Sequence, residues 1–186
     1  MIEDKKYLQL FIREDVKANG IKLGFSYYVK LFYGNINARA FRYLKSLRKY
    51  EYSINTHGLL LFWRRFYNRR LGAKYNIAIT PNIAGYGLKL PHLEQGVIIN
   101  CESMGNYCVV NSGVVLGNKG LGKSEERPII GSSVNFCVGC KVIGRIMIGD
   151  NVIVAPNAVV VKDVPANSIV AGIPATVIKS LSEKNI

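Results

Sequence analysis

The chain has 186 residues, of which 49% are hydrophobic, and its 25 lysines and arginines outnumber its 12 aspartates and glutamates, which gives a formal net charge of +13. The hydrophobic content predicts one folded domain with a real core and excludes an intrinsically disordered protein. The apolar run "LLLFW" from Leu59 is far too short to cross a bilayer. We therefore predict a soluble, cytoplasmic protein with an anionic partner, which is a nucleic acid, a phosphate-bearing co-substrate or a membrane surface.

Apolar residues recur at helical spacing between residues 1 and 75, in the stretches "IREDVKANG", "ARAFRYLKSLRKYE" and "HGLLLFWRRFYNRRLG". Asn55 or Thr56 is the expected cap of the last helix, and Gly72 is its expected end. His57 is interpreted as a cap-region or packing residue, because no acid or nucleophile is paired with it locally. The segment "FWRRFYNRR" fits a nucleic-acid surface, but we favour a helix with inward aromatic residues and arginines that lie in solvent or near anionic lipid.

A six-residue period begins clearly at Ile130, with the units "IGSSVN", "FCVGCK", "VIGRIM", "IGDNVI", "VAPNAV" and "VVKDVP". Each unit starts with an apolar residue and has a small or β-branched residue in fifth place, and "MGNYCV" and "VNSGVV" share that phase upstream. This period predicts a parallel β-helix, whose stacked coils bury an apolar face that no single turn can bury. General rules for crossovers would make that helix right-handed.

The four cysteines include one CxxC pair, Cys137 and Cys140, which leaves open a zinc site or redox chemistry. Cys108 and Cys140 occupy fifth positions of the repeat, where a compact and mildly apolar side chain fits the interior. A closed zinc site also needs a second ligand pair. We therefore favour a structural role for the cysteines, without a metal, and a reducing compartment makes structural disulfides improbable.

Two segments interrupt the period. "GNKGLGKSEERP", from Gly117 to Pro128, is glycine-rich and charged, which predicts a loop ejected from the coil. Such loops on rigid scaffolds often carry function. The other interruption, "LPHLEQG", contains His92, and the residues alone leave a catalytic and a structural role for it equally open.

The stretches "GLKLPH" and "GVIIN", the hexapeptides, the loop and the closing "VVVKDVPANSIVAGIPATVIK" together resemble the serine acetyltransferase branch of the left-handed β-helix acyltransferases. In layout the chain is closest to short O-acetyltransferases of polysaccharide biosynthesis. The resemblance implies an α+β fold with a helical region over residues 1–75, a left-handed parallel β-helix with an ejected loop over 76–180, and a tail over 181–186. Handedness comes from this resemblance alone.

An acetyl-CoA-dependent O-acetyltransferase is what the resemblance implies, working as a homotrimer with clefts between neighbouring subunits, without a metal and without nucleic acid. His92 matches the general base, which takes the proton of the acceptor hydroxyl. Backbone N–H groups near Gly117 would stabilise the oxyanion. The residues matched to the acetyl-CoA site are Ala155, Pro156, Val161, Lys162, Ala171, Gly172 and Lys179, although the two lysines also fit the description of ordinary surface charges.

The residues expected to bind the acceptor or to orient the general base differ from the pattern of the family that the chain resembles. Aspartates are expected where this chain has Ala78 and Pro91, and of an expected Arg–His pair in the loop only Arg127 has a counterpart. That leaves Glu94 or Asn111 to orient His92.

These losses lead us to expect a different acceptor, a hydroxyl of a sugar or glycan in surface-polysaccharide biosynthesis. The basic, aromatic N-terminal region would then suit an anionic or lipid-linked glycan and a peripheral position at an anionic membrane surface. The alternative is serine O-acetylation for cysteine biosynthesis, in which the C-terminal Ile186 would dock into a partner enzyme.

Overall fold

The computed structural model describes residues 1–120 and 125–181 of the chain. Ile186 and most of the predicted tail lie outside the described residues, and so does the middle of the predicted loop. Within the described residues, no helix is both long and apolar enough to cross a membrane.

The N-terminal part folds into four helices, α1 (Lys5–Ala18), α2 (Phe25–Phe32), α3 (Ile36–Asn55) and α4 (Leu61–Tyr75). Side-chain caps start two of them, because Asp4 accepts a hydrogen bond from the N–H of Tyr7 and Asn35 accepts one from the N–H of Ala38. The predicted helical stretch in α3 is confirmed, with Phe41, Leu44 and Leu47 fully buried on one face.

Three details of the helical prediction are wrong. Asn55 is the last residue of α3, and Thr56 is its C-cap with its hydroxyl bonded to the carbonyl of Tyr52, so neither caps the last helix. The last helix also continues through Gly72 to Tyr75, and Asn76 ends it in a left-handed conformation with φ of 56°. Glycine suits position 72 because a Cβ atom there would lie 2.6 Å from the carbonyl oxygen of Ile77.

The aromatic residues at the start of α4 do not point inward, contrary to the interpretation that we favoured. Phe62 is 71% exposed, Trp63 65% and Phe66 53%. A fourth helix, α2, was not predicted, since it is short and lies between turns at Gly24 and Gly34.

The described residues from Ile77 onward form a left-handed β-helix whose three faces are sheets. The first sheet contains β1 (Ile77–Ile79), β2 (Val97–Ile99), β5 (Val115–Gly117), β8 (Lys141–Ile143) and β11 (Val159–Val160). The second contains β3 (Ser103–Met104), β6 (Ile129–Ile130) and β9 (Met147–Ile148). The third contains β4 (Val109–Val110), β7 (Asn135–Phe136), β10 (Ile153–Val154), β12 (Ser168–Gly172) and β13 (Ala175–Ser180). All named pairs are parallel except β12 with β13.

The six-residue period describes the interior of this coil correctly. The leading residues of the units are all buried, and they are Met104, Val110, Leu116, Ile130, Phe136, Val142, Ile148, Val154 and Val160. Cys108 and Cys140, in fifth positions, are buried as well, whereas Cys137 is partly exposed. Burial raises the pKa of the Cys140 thiol to about 12 and that of Cys108 to about 11.

The helices and the first coil share one core, so the division of the chain at residue 75 stays a prediction. A fully buried arginine, Arg48, lies where the helices contact the first coil. Its Nε is 2.9 Å from Asp15 Oδ2, and its Nη1 is 3.1 Å from Glu51 Oε2. Arg48 also donates to the carbonyl oxygens of Ala84 (2.8 Å) and Gly85 (2.6 Å). Each charge therefore has partners, as burial of charge requires.

Candidate active site

Two edges of the β-helix carry the predicted site residues. We call the turns that lead from the third sheet to the first sheet the His92 corner, which comprises residues 91–96, 111–114, 137–140 and 155–158. We call the turns that lead from the first sheet to the second sheet the loop corner, which includes the described residues 118–120, 125–128, 144–146 and 161–163.

His92 lies in a turn that is longer than the repeat requires. The first coil takes nine residues to pass from Lys89 to Ile98, whereas their partners in the next coil, Val109 and Val115, are six apart. The three additional residues leave His92 outside the stacked positions. Its side chain is therefore free of the interior and 58% exposed.

Helix α1 and its C-cap residue Asn19 fix the extended segment that leads into this turn. Asp15 Oδ1 accepts hydrogen bonds from the N–H groups of Gly87 (2.8 Å) and Leu88 (3.1 Å). Asn19 donates its amide to the carbonyl of Leu88 (2.8 Å) and accepts from the N–H of Leu90 (3.3 Å). Neither Asp15 nor Asn19 was predicted to position this segment, although their spacing of four places them on one helix face.

Glu94 lies near His92, and Asn111 is committed elsewhere. Glu94 Oε2 is 3.8 Å from His92 Nδ1, and both side chains are more than half exposed. The amide of Asn111 donates to the carbonyl of Phe136 at 2.9 Å, in the next coil. Of the two residues predicted to orient His92, Glu94 is the one that the geometry favours.

The residues predicted to bind acetyl-CoA divide between the two corners. Ala155 and Pro156 lie at the His92 corner, three coils along the axis from His92, which is about 14 Å at the usual strand spacing. The N–H of Ala155 donates to Val170, which brings the end of β12, with Ala171 and Gly172, to the same corner.

The remaining donor candidates lie away from the His92 corner. Val161 and Lys162 lie at the loop corner, directly after β11. Lys179 lies on β13 opposite Ile169, and its side chain is exposed.

Lys141 places a positive charge at the His92 corner, which the sequence analysis did not anticipate. Its Nζ donates to the carbonyl oxygens of Gly113 (2.6 Å) and Gly139 (2.7 Å), one coil apart. Within the described part of the chain it has no ion-pair partner. The charge lies between His92 and Ala155 along the corner.

Gly117 and Arg127 lie at the loop corner and do not meet His92 within one chain. Gly117 ends β5, and its carbonyl accepts a hydrogen bond from Gly144. Arg127 is 28% exposed, and its nearest described carboxylate is Glu125 at 4.0 Å. The Nε of Arg127 is buried without a hydrogen-bond partner in the described structure.

A cavity of about 490 Å³ borders the His92 corner on the outer face of the first sheet. Gly72 of α4, Ala78 of β1 and Ile98 of β2 line it, together with Gln95 and Gly113 of the corner. Its wall includes Ala78, one of the two positions where an aspartate was expected, and no histidine or carboxylate is among its described lining residues. No group of three or more possible metal ligands occurs in the described part of the chain.

The comparisons with known proteins bear directly on this arrangement. No protein-family model matches the chain. Serine acetyltransferase from Synechococcus elongatus is 37% identical over 94 residues, which are 50% of this chain and 38% of that protein. Serine acetyltransferase from Buchnera aphidicola is 28% identical over 165 residues, 85% of this chain and 57% of that protein.

Solved structures with a similar fold are also named serine acetyltransferases. Soybean serine acetyltransferase complexed with serine superposes with a TM-score of 0.76 at 22% identity, over 94% of this chain and 70% of that one. A serine acetyltransferase in complex with CoA gives a TM-score of 0.72 at 19% identity, over 94% and 71%. The chain is therefore similar to serine acetyltransferases in sequence over about half of its length, and it has their fold. The likeness confirms the predicted helical region followed by a β-helix.

One expectation is overturned by these serine acetyltransferase-like relatives. We expected a sugar or glycan acceptor because expected aspartates and one member of the loop pair are missing, and that expectation is wrong. The relatives are named serine acetyltransferases, which favours the alternative acceptor. The chain spans only about two fifths of the length of the Synechococcus relative and about three fifths of the length of the Buchnera relative.

Proposed function

We propose that the chain is a serine O-acetyltransferase, which transfers the acetyl group of acetyl-CoA to the hydroxyl oxygen of L-serine. The observation that carries the proposal is its likeness to serine acetyltransferases, one of which is 37% identical over 94 residues. The CoA and serine complexes of proteins with this fold support the choice of donor and acceptor.

His92 acts as the general base in this proposal. It removes the proton of the serine hydroxyl while that oxygen attacks the thioester carbonyl carbon. Collapse of the tetrahedral intermediate breaks the carbon–sulfur bond, and His92 returns the proton to the departing CoA thiolate. Glu94, 3.8 Å away, holds Nδ1 as the protonated nitrogen when the distance shortens in the occupied site, which leaves Nε2 to act as the base.

The donor is proposed to lie along the His92 corner. Ala155 and Gly172 have small or absent side chains, which permits a pantetheine arm to approach the backbone. Lys141 supplies a positive charge on the route toward His92. Lys162 and Lys179 are exposed but lie away from this corner, so they do not contribute to the donor site within one chain.

The acceptor carboxylate is assigned to Arg127. A guanidinium pairs with a carboxylate through two parallel hydrogen bonds, and the Nε of this arginine has no partner in the described structure. Because Arg127 and Gly117 lie at the loop corner, the complete site requires the loop corner of a neighbouring subunit beside His92. The functional unit in this proposal is a homotrimer with three shared clefts.

Steady-state kinetics with a panel of acceptors tests this function. Release of the CoA thiol is followed with L-serine, D-serine, L-threonine and simple saccharides as acceptors. We expect kcat/KM for L-serine to exceed that for the saccharides by about a hundredfold or more, because a saccharide leaves the groups that bind the carboxylate and the ammonium unpaired. D-serine and L-threonine, which carry both charged groups, should also be poorer acceptors than L-serine. Equal or faster transfer to another alcohol would refute the proposal.

A further inference from the structure

A groove of about 720 Å³ lies on the helical part, away from both corners of the β-helix. Its floor is one stripe of α3, with Arg42, Lys45, Ser46 and Lys49 at helical spacing. Its walls come from α2 and α4, and aromatic or aliphatic side chains dominate them: Tyr27, Tyr28, Leu31, Leu60, Trp63 and Tyr67.

The groove is positively charged without compensation. Arg42, Lys45, Lys49 and Arg64 line it, and its eleven lining residues, all described, include no carboxylate. The two guanidinium groups bond only to neutral oxygens, since Arg42 donates to the hydroxyl of Tyr67 and Arg64 to the carbonyl of Lys49. Burial lowers the pKa of Lys49, and the charges of Lys45 and Arg64 lower it further, which reflects cations held close together.

Large apolar side chains continue from the groove into solvent. Trp63 and Tyr28 are each 65% exposed, and Leu60 is 54% exposed. Their neighbours Phe62 and Leu59 are more exposed still, at 71% and 102%. An apolar rim around a cationic floor is the arrangement that an interfacial protein uses, with aromatic rings at the headgroup level and basic side chains that reach the phosphates.

We infer that this groove binds the headgroups of an anionic phospholipid bilayer, and that the enzyme thereby associates peripherally with such a surface. The combination of charge and exposed aromatic rings decides the occupant. A second copy of the chain would bring the same four cations against each other, which like-charge repulsion disfavours. A small phosphate would use the floor but leave the exposed rim in water.

Trp63 provides a direct probe, because it is the only tryptophan of the chain and it lines the groove. Purified full-length protein is titrated with vesicles of phosphatidylcholine alone and with vesicles that also contain phosphatidylglycerol. We expect a blue shift of the Trp63 emission and co-sedimentation with the anionic vesicles only, both weakened by added salt.

Two charge-matched variants separate the groove from the overall charge. Lys45→Gln with Lys49→Gln should lower the partition coefficient about tenfold or more. Lys89→Gln with Arg145→Gln removes the same charge from the β-helix and should change it less than about threefold. The circular dichroism spectrum and the thermal unfolding of the Lys45 and Lys49 double variant should match those of the wild type, which verifies that the variant is folded.

The inference is independent of the proposed acetyl transfer, and several results would overturn it. These are an emission shift that does not depend on phosphatidylglycerol, equal loss of binding in the two double variants, and a saturable shift with inorganic phosphate but none with vesicles. A shift produced by a DNA or RNA oligomer at lower concentrations than by vesicles, or by raising the protein concentration alone, would overturn it as well.

Discussion

The position of His92 makes it a candidate for the general base, because it lies in a turn that is three residues longer than the repeat requires. The pair that it forms with Glu94 is mostly exposed, so solvent screens the charge of Glu94 in the single chain. Closure of the cleft by a neighbouring subunit would exclude water and strengthen the orienting effect. The position of His92 was readable from the sequence, whereas its 3.8 Å approach to Glu94 depends on the path of the turn.

Replacing His92 tests its role as the base. His92→Asn should lower kcat by about a hundredfold to ten-thousandfold, the usual contribution of general-base catalysis, with little change in CoA binding. His57→Ala is the matched control, since His57 is exposed in the turn between α3 and α4 and should retain near wild-type activity. Near wild-type activity of His92→Asn would remove it from the mechanism.

The four thiols should differ in reactivity according to burial. Only Cys137 is partly exposed, and burial raises the pKa of Cys101 and Cys140 to about 12. A disulfide reagent at neutral pH should therefore modify Cys137 first and the others only after unfolding, because the thiolate is the reactive form. Fast modification of all four thiols in folded protein would contradict the assigned interior positions.

The same thiols predict how stability depends on pH. Their pKa values are raised above the ordinary value of 9.0, so their contribution to the free energy of unfolding is complete below about pH 9. It is lost as the pH rises from there toward about 12. Denaturant unfolding at a series of alkaline pH values measures this loss, and replacing Cys140 with alanine should reduce the slope.

At the scale of elements, local patterns gave the coil interior and the long helices but not the contacts between them. The six-residue period correctly predicted which positions are buried, because stacking repeats the same environment in every coil. Helix α2 and the end of α4 were missed because short helices and their ends depend on tertiary contacts, such as the approach of Ile77 to Gly72. The aromatic residues at the start of α4 are exposed, although their helical spacing is typical of side chains that pack into a core.

The join between α1 and the first coil could not be predicted from spacing, since Asp15 and Asn19 bond to residues about 70 positions away. Those hydrogen bonds hold the segment from Gly87 to Leu90, which leads to His92. The missing aspartates misled the choice of acceptor, because each position was judged alone. In the folded chain, Glu94 approaches His92, and the buried Nε of Arg127 has no hydrogen-bond partner among the described residues.

Asn19→Ala tests the positioning role of α1. The change leaves the buried carbonyl of Leu88 and the N–H of Leu90 without this partner, so the free energy of unfolding should fall by about 1–3 kcal/mol. If Asn19 positions His92, kcat should fall more than KM for acetyl-CoA rises. Lys6→Ala, on the exposed face of the same helix, is the control. Loss of stability with unchanged kcat in the folded fraction would leave Asn19 with a structural role alone.

At the scale of the whole molecule, the separation of the two corners makes the oligomer part of the proposed mechanism. One chain holds His92 at one edge and Arg127 with Gly117 at another, so the site that we propose needs two chains. Light scattering should report three chains per particle, and a stable monomer with full activity would contradict the shared cleft.

Mixed trimers provide the corresponding functional test. His92→Ala and Arg127→Ala should each be inactive or nearly so, and co-refolding the two should restore part of the activity, because some clefts combine an intact His92 with an intact Arg127. Two copies of the same variant refolded together are the control. No recovery in mixtures that form trimers would place both residues in a single-chain site.

The acceptor is the central claim, and the product identifies it most directly. The protein is incubated with acetyl-CoA carrying a labelled acetyl group and with L-serine, and the products are analysed by mass spectrometry beside those of His92→Asn. We expect labelled O-acetylserine and an equal amount of free CoA from the wild-type protein, with formation slowed about a hundredfold or more in the variant. CoA release without O-acetylserine, or O-acetylserine formed equally well by the variant, would contradict it.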